Sequence, residues 1–209
     1  MSRRGGFAIS NRWNIGINAW IIQDGNYPDF AIGQVAEFAV EFNFPKNQLE
    51  PTCRQMEATH LHDSSYRAHG DIRLRTDEIT IVDIGILAYC GSDPVFAQFL
   101  EDRFEAEIWL GVDPYPYFER LSKNEKIPPL IYSWQIRSIL RQTAPFIESV
   151  EESGLDAGRK IIRRDLTRLG WEEISQTDAW NDDRGDCAEY VLVCELLDVP
   201  PKRVSATAT

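Results

Sequence analysis

All three histidines of the chain lie within ten residues, in Thr59-His60-Leu61-His62-Asp63 and in His69-Gly70-Asp71. Imidazole nitrogens and carboxylate oxygens are good ligands for zinc, manganese and iron, and a His-x-His pair in an extended segment carries both rings on one side. His60, His62, Asp63 and His69 are therefore the candidate ligands of a metal-dependent hydrolase. The plainer reading of the same residues is a polar loop entering a strand, with His69 turned to solvent.

The His60-x-His62 stretch is superficially similar to the metal-binding segment of the metallo-β-lactamase family, whose pattern continues His-x-His-x-Asp-His. Here Asp63 follows His62 directly, Ser65 stands where a further histidine is wanted, and no histidine follows His69. No residue role is carried over from that family. Asp83 sits in an apolar run, where burial would raise its pKa, but a single acid has no partner that the sequence names, and a hydrogen-bonded structural aspartate is the simpler account. The acidic stretch from Asp178 to Asp186 fails as a calcium loop because Arg184 falls where an oxygen ligand is required. No dinucleotide, P-loop or nucleophile-elbow motif occurs, so no cofactor is expected. Cys53, Cys90, Cys187 and Cys194 form no C-x-x-C pair and read as structural thiols.

Charge separates the partner classes. The 209 residues contain 22 Lys+Arg and 33 Asp+Glu, a net charge of −11. Nucleic-acid affinity rests on cationic neutralisation of phosphate, so this balance disfavours it and makes a cationic protein the natural electrostatic match. Two local basic clusters run against the trend: Arg67, Arg73 and Arg75 on one strand face, and Arg159 to Arg168. The first of these could hold single strands on a small barrel. In Asp113-Pro114-Tyr115-Pro116-Tyr117-Phe118 three aromatics occupy a proline-stiffened connection. Such rings serve either as a contact surface, together with Trp109, or as a lid folded back on a core.

The elements that must position these groups read mostly as strands. Residues 14–23 are β-branched and aromatic and end at Asp24-Gly25. Residues 36–44 alternate, with Phe38, Val40, Phe42 and Phe44 on one face and Glu37, Glu41 and Asn43 on the other. Residues 46–65 read as loop. Residues 66–75 alternate again, 79–89 form an apolar central strand, 94–100 suit a short helix, and 104–112 alternate. A helical turn is expected over 117–123 and a strand over 130–140. The acidic, Gly-containing stretch 148–159 is the best boundary; an amphipathic helix over 161–169, with an extended segment as the alternative, and a β-hairpin from 171–180 and 188–197 follow.

The expected fold is mainly β: an antiparallel curled sheet or small β-barrel over residues 7–147, OB-like or SH3-like by analogy, with a C-terminal helix and β-hairpin (148–200) packed on it as part of the same domain or beside it, and a flexible tail over 201–209. After Arg3 and Arg4 only Phe7-Ala8-Ile9 precede polar residues, short of the roughly 7–15 apolar residues of a secretory signal. The chain is thus expected to be cytoplasmic and away from membranes. The functional expectation is a non-catalytic, acidic interaction protein of inhibitor, immunity-type or adaptor kind, with Tyr115, Tyr117, Phe118 and Trp109 as contact residues. A hydrolase built on the histidines and a nucleic-acid-binding barrel built on Arg67, Arg73 and Arg75 are the alternatives.

Overall fold

Period-two alternation becomes burial along residues 12–18, 35–38, 40–43, 103–112 and 132–136 of the computed structural model, which describes residues 11–45, 49–91, 93, 95–96, 99–150, 160–180 and 188–204. In chain order the elements are β1 (Arg12–Asn18), α1 (Ala19–Gln23), β2 (Val35–Phe38), β3 (Val40–Asn43), β4 (Glu50–Pro51), β5 (Glu57–His62), β6 (Ser65–Arg75), β7 (Ile79–Asp83), β8 (Leu87–Gly91), β9 (Arg103–Val112), α2 (Pro116–Glu119), β10 (Tyr132–Gln142), β11 (Phe146–Val150), β12 (Lys160–Arg164), β13 (Trp171–Ile174) and β14 (Glu189–Leu196). On β9 the even residues from Phe104 to Val112 are buried, whereas Trp109 lies on the opposite face, open to solvent.

Strand outweighs helix, 54% to 9%, and five strands close into a barrel. The ring runs β9-β3-β8-β7-β6 and returns to β9, because β6 pairs with β7 through its second half and with β9 through its first. Closure pairs edges that an open sheet would expose, though β6 and β9 keep stretches that bond strands outside the ring. From β9 the sheet continues through β1 and β14 to β10, whose far edge carries β2 over Tyr132–Gln135 and β13 over Ile139–Gln142. Pairing is antiparallel throughout except at Gly16↔Gly111 and Glu41↔Tyr89. The expected run 36–44 is interrupted at Ala39, so β2 joins β10 while β3 joins the barrel.

Two cores explain the runs that are apolar on both faces. Phe38, Phe42, Phe104, Trp134 and Leu192 belong to the main core, while Ile79, Ile81, Tyr89, Tyr117 and Leu130 form a second. Residues 79–89 feed both, Val82 and Ala88 into the first and Ile81 and Tyr89 into the second. They form two strands rather than the one expected: the chain reverses at Gly85, whose φ of 106° suits glycine and whose N–H donates to Asp83 Oδ1 at 3.1 Å. Asp83 is thus a turn residue, which also accepts from Arg73.

Further expectations change for identifiable reasons. Residues 14–23 are strand only to Asn18, where pairing with Glu189 ends; α1 then buries Ala19, Ile21 and Ile22 and leaves Trp20 outside. The expected loop 46–65 contains β4 and β5, because β9 and β6 offer free edges to polar sequence. Of the short helix at 94–100, Val95 and Phe96 are helical and part of the remainder lies outside the described residues. The helical turns of 117–123 are present as α2 and a 3-10 turn at Leu121–Lys123.

The C-terminal part departs most. The expected helix over 161–169 is β12 and a 3-10 turn, since Ile161 and Ile162 are β-branched and pair with Ser149 and Glu148 of β11. The expected hairpin does not form: β13 and β14 lie on opposite edges of β10, which is long enough to bond both. β14 is inserted between β1 and β10 and contributes Tyr190, Leu192 and Cys194 to the main core. Residues 201–204 are also anchored rather than free. Lys202 exchanges backbone hydrogen bonds with Ile131 and pairs with Glu37 at 2.6 Å. Arg203 donates to the carbonyls of Ser122, Asn124, Glu125 and Ile127.

Buried Cys90 and Cys194 behave as small apolar groups, the Cys90 thiol pushed up to about 12 by burial, while Cys53 is exposed and Cys187 lies outside the described residues. Among the described residues no helix is long and apolar enough to cross a membrane.

Candidate functional site: a cleft where two strands part from β9

The barrel leaves an opening where β9 changes partners. β6 accompanies β9 up to Trp109, and β1 meets it at Gly111. Between them the β5–β6 turn folds over β9, held by Leu110 N–H donating to Ser64 O at 3.0 Å. Asp63 takes the left-handed backbone in that turn, φ 46°, which its short polar side chain tolerates. Gly16 and Gly111 permit the close approach: a Cβ on Gly16 would come within 3.1 Å of Ser64 Oγ.

The resulting cleft has a volume of about 380 Å³. Three tryptophans line it, Trp20 from α1, Trp109 from β9 and Trp171 from β13, with three carboxylates, Glu41 from β3, Asp63 from the turn and Glu189 from β14. His62 also faces it, and among the described residues no lysine or arginine does. Trp20 and Trp109 keep 38% and 41% of their surface exposed, so their rings remain available to a ligand. Glu41 is partly buried, and burial together with the nearby Asp113 carboxyl pushes it up to about 7. A cation beside it would favour its ionised form.

Asp113 lies just behind the cleft and organises the loop after β9. It is fully buried, and its Oδ1 accepts from the Tyr89 hydroxyl and from Tyr117 N–H at 3.2 Å, while Oδ2 accepts from Phe118 N–H at 3.4 Å. Burial nonetheless drives its pKa upward, the hydrogen bonds opposing. The loop it holds includes Tyr115, a non-glycine residue at φ 88° whose ring stacks on Phe118 at 5.4 Å.

The residues singled out in the sequence separate accordingly. Trp109 lies in the cleft. Tyr117 does not face outward: its ring packs in the second core and its hydroxyl donates to Pro128 O and accepts from Leu130 N–H, each at 2.9 Å, the folded-back alternative. Tyr115 and Phe118 are half-buried against each other.

The histidines do not converge. His60 Nε2 lies 3.0 Å from Asp63 O and 3.1 Å from Asn14 Nδ2, His62 Nδ1 lies 3.3 Å from Asp63 Oδ2, and His69 is buried with its Nε2 3.3 Å from Glu105 Oε1. His60 stands opposite Tyr66, so His69 is three strand residues further along, about 10 Å, and on the other face. A bulge between His60 and His62 also breaks the regular side-by-side placement of the two rings. Among the described residues no group of three or more His, Cys, Asp or Glu side chains is arranged to hold a metal ion.

Arg73 and Arg75 of β6 are engaged. Arg73 pairs with Asp83 at 2.7 Å, Arg75 donates to Glu101 O at 3.0 Å, and Arg67 lies opposite Glu107 in the β6–β9 ladder. Carboxylates interrupt what the sequence presents as a basic face.

Glu41 was visible in the sequence as part of a polar strand face, but nothing marked it as different from Glu37. Trp20, Trp171, Glu189 and Gln142 carried no signal at all, because the cleft assembles them from α1, β13, β14 and β10. The chain matches no protein-family model, no curated protein and no solved structure.

Proposed function

We propose that the protein is a non-catalytic, acidic interaction protein and that the cleft beside β9 receives a cationic group from a macromolecular partner. The observation that carries this reading is the facing of three tryptophans and three carboxylates in one opening without a lysine or arginine among its described residues. An aromatic face attracts a cation through its quadrupole and a carboxylate through its charge, and each gains strength in a partly dehydrated cleft. The chain's net charge of −11 supports the same direction by steering a basic surface toward it at long range. Cytoplasmic residence, with a cationic protein as the partner, completes the proposal.

The test is calorimetric titration of the full chain with basic, neutral and acidic peptides of equal length, repeated at rising salt. Basic peptides bind and weaken with salt, and Trp109→Ala together with Glu189→Gln lowers their affinity. Binding of neutral oligosaccharides in preference to basic peptides, or turnover of a glycoside at the cleft, overturns the reading.

A further inference from the structure

Ser65 is 1% exposed and Gln142 is 7% exposed; both line the cleft, and among the described residues Ser65 Oγ and Gln142 Oε1 have no hydrogen-bond partner. A buried polar atom left unpaired is costly, so two of them among the lining of one cleft require an account. Gln142 is not free to turn its carbonyl elsewhere: its Nε2 donates to Glu189 Oε2 at 2.8 Å, which fixes the amide with its oxygen as the remaining group. The pairing also holds the Glu189 carboxylate beside that oxygen.

The geometry points to the side chain of arginine as the group the cleft selects. That reading rests on the cation site proposed above and narrows it. A quaternary ammonium is satisfied by aromatic faces and has no N–H to offer, so it would leave both acceptors unpaired. A lysine ammonium offers three donors from a single point. Guanidinium is planar, presents five N–H donors in a fan, and stacks on an indole while donating in its own plane. It alone meets a stacking wall, carboxylates and neutral acceptors at once. Trp109 supplies the wall, Glu189 and Glu41 the charge, and Gln142 and Ser65 the in-plane acceptors.

The experiment uses the full chain and four blocked pentapeptides, Gly-Gly-X-Gly-Gly, with X arginine, lysine, trimethyllysine or citrulline. Tryptophan fluorescence gives the affinity, and the side-chain amide resonance of Gln142 reports on the site. The arginine peptide is expected to bind about tenfold more tightly than the lysine peptide, corresponding to one good charge-assisted hydrogen bond, and to move the Gln142 resonance. Citrulline, the same shape without charge, is expected not to bind. Ser65→Ala, a deletion too small to unfold the barrel, lowers arginine affinity more than lysine affinity and so narrows the preference. Equal or tighter binding of lysine or trimethyllysine overturns the selection of arginine and leaves the cation site standing. Failure of all three cationic peptides at millimolar concentration overturns both, as does binding of citrulline equal to that of arginine.

Discussion

Gly16 of β1 stands opposite Gly111 of β9 in the register pair that joins those two strands, and the opening beside that pair is the cleft. Neither residue has a side chain to fill the space. A larger residue on β1 should therefore close the cleft. In Gly16→Val the added carbons press on Ser64 Oγ, which an ideal Cβ already meets at 3.1 Å. The expected result is loss of basic-peptide binding with a stability cost of about 1–3 kcal/mol, the range for overpacking a tight site. Titration alongside urea unfolding checks both, and unchanged affinity would remove the cleft from the binding event.

Asp113 should matter more to stability than to charge. Asp113→Ala leaves the Tyr89 hydroxyl and the Tyr117 and Phe118 N–H groups without their acceptor inside the protein. Stranded buried donors of this kind should cost about 2–4 kcal/mol in total. Asp113→Asn, which keeps one carbonyl oxygen, should cost less. Denaturant unfolding of the pair gives the order, and equal stability of the two variants would contradict it.

Glu41 makes stability and binding respond to pH in opposite senses. Its carboxyl rises from the ordinary 4.5 to about 7 on folding. The folded chain then holds more protons than the unfolded one across that window, so this group's contribution to stability falls as pH rises from 4.5 to about 7. Glu41→Gln should accordingly stabilise the protein more at pH 8 than at pH 5. A cation in the cleft prefers the ionised carboxylate, so basic-peptide affinity should climb through the same interval. Asp113 acts on Glu41 from behind, the Glu41 charge in turn bears on Tyr89 and Cys90, and Asp63, Glu189 and His62 share its cleft. Repeating the titration in His62→Asn separates the histidine; a pH profile that survives Glu41→Gln would assign the effect elsewhere.

Arg203 should be a structural anchor. Its guanidinium caps four carbonyls between Ser122 and Ile127. Arg203→Ala, or truncation after Val199, should cost about 2 kcal/mol, the scale of a charge-assisted set partly open to water. Amide hydrogen exchange should accelerate over residues 121–131 and stay unchanged in β9. Uniform acceleration across the barrel would mean that the anchor stabilises the whole fold rather than one loop.

The alternating residues of β3, β6, β9 and β10 carried the β class, the small barrel and part of the main core, because one face of each strand must be buried and period two records which. Continuous apolar sequence at 79–89 showed burial on both sides but not the reversal at Gly85, since a tight turn with two buried isoleucines beside it resembles an uninterrupted strand. Helical spacing misled at 161–169, where i, i+4 placement of branched residues fits an extended arm as well.

Local patterning thus decided which residues are inside and that the body is made of strands, because those properties depend on neighbours two positions away. Partner choice between strands depended on the whole molecule. Placing β13 and β14 on either edge of β10, rather than against each other, brought Gln142, Trp171 and Glu189 together at the mouth of the cleft. Edge pairing is settled by which backbone donors and acceptors remain unsatisfied once the barrel has closed, and that quantity exists only in three dimensions.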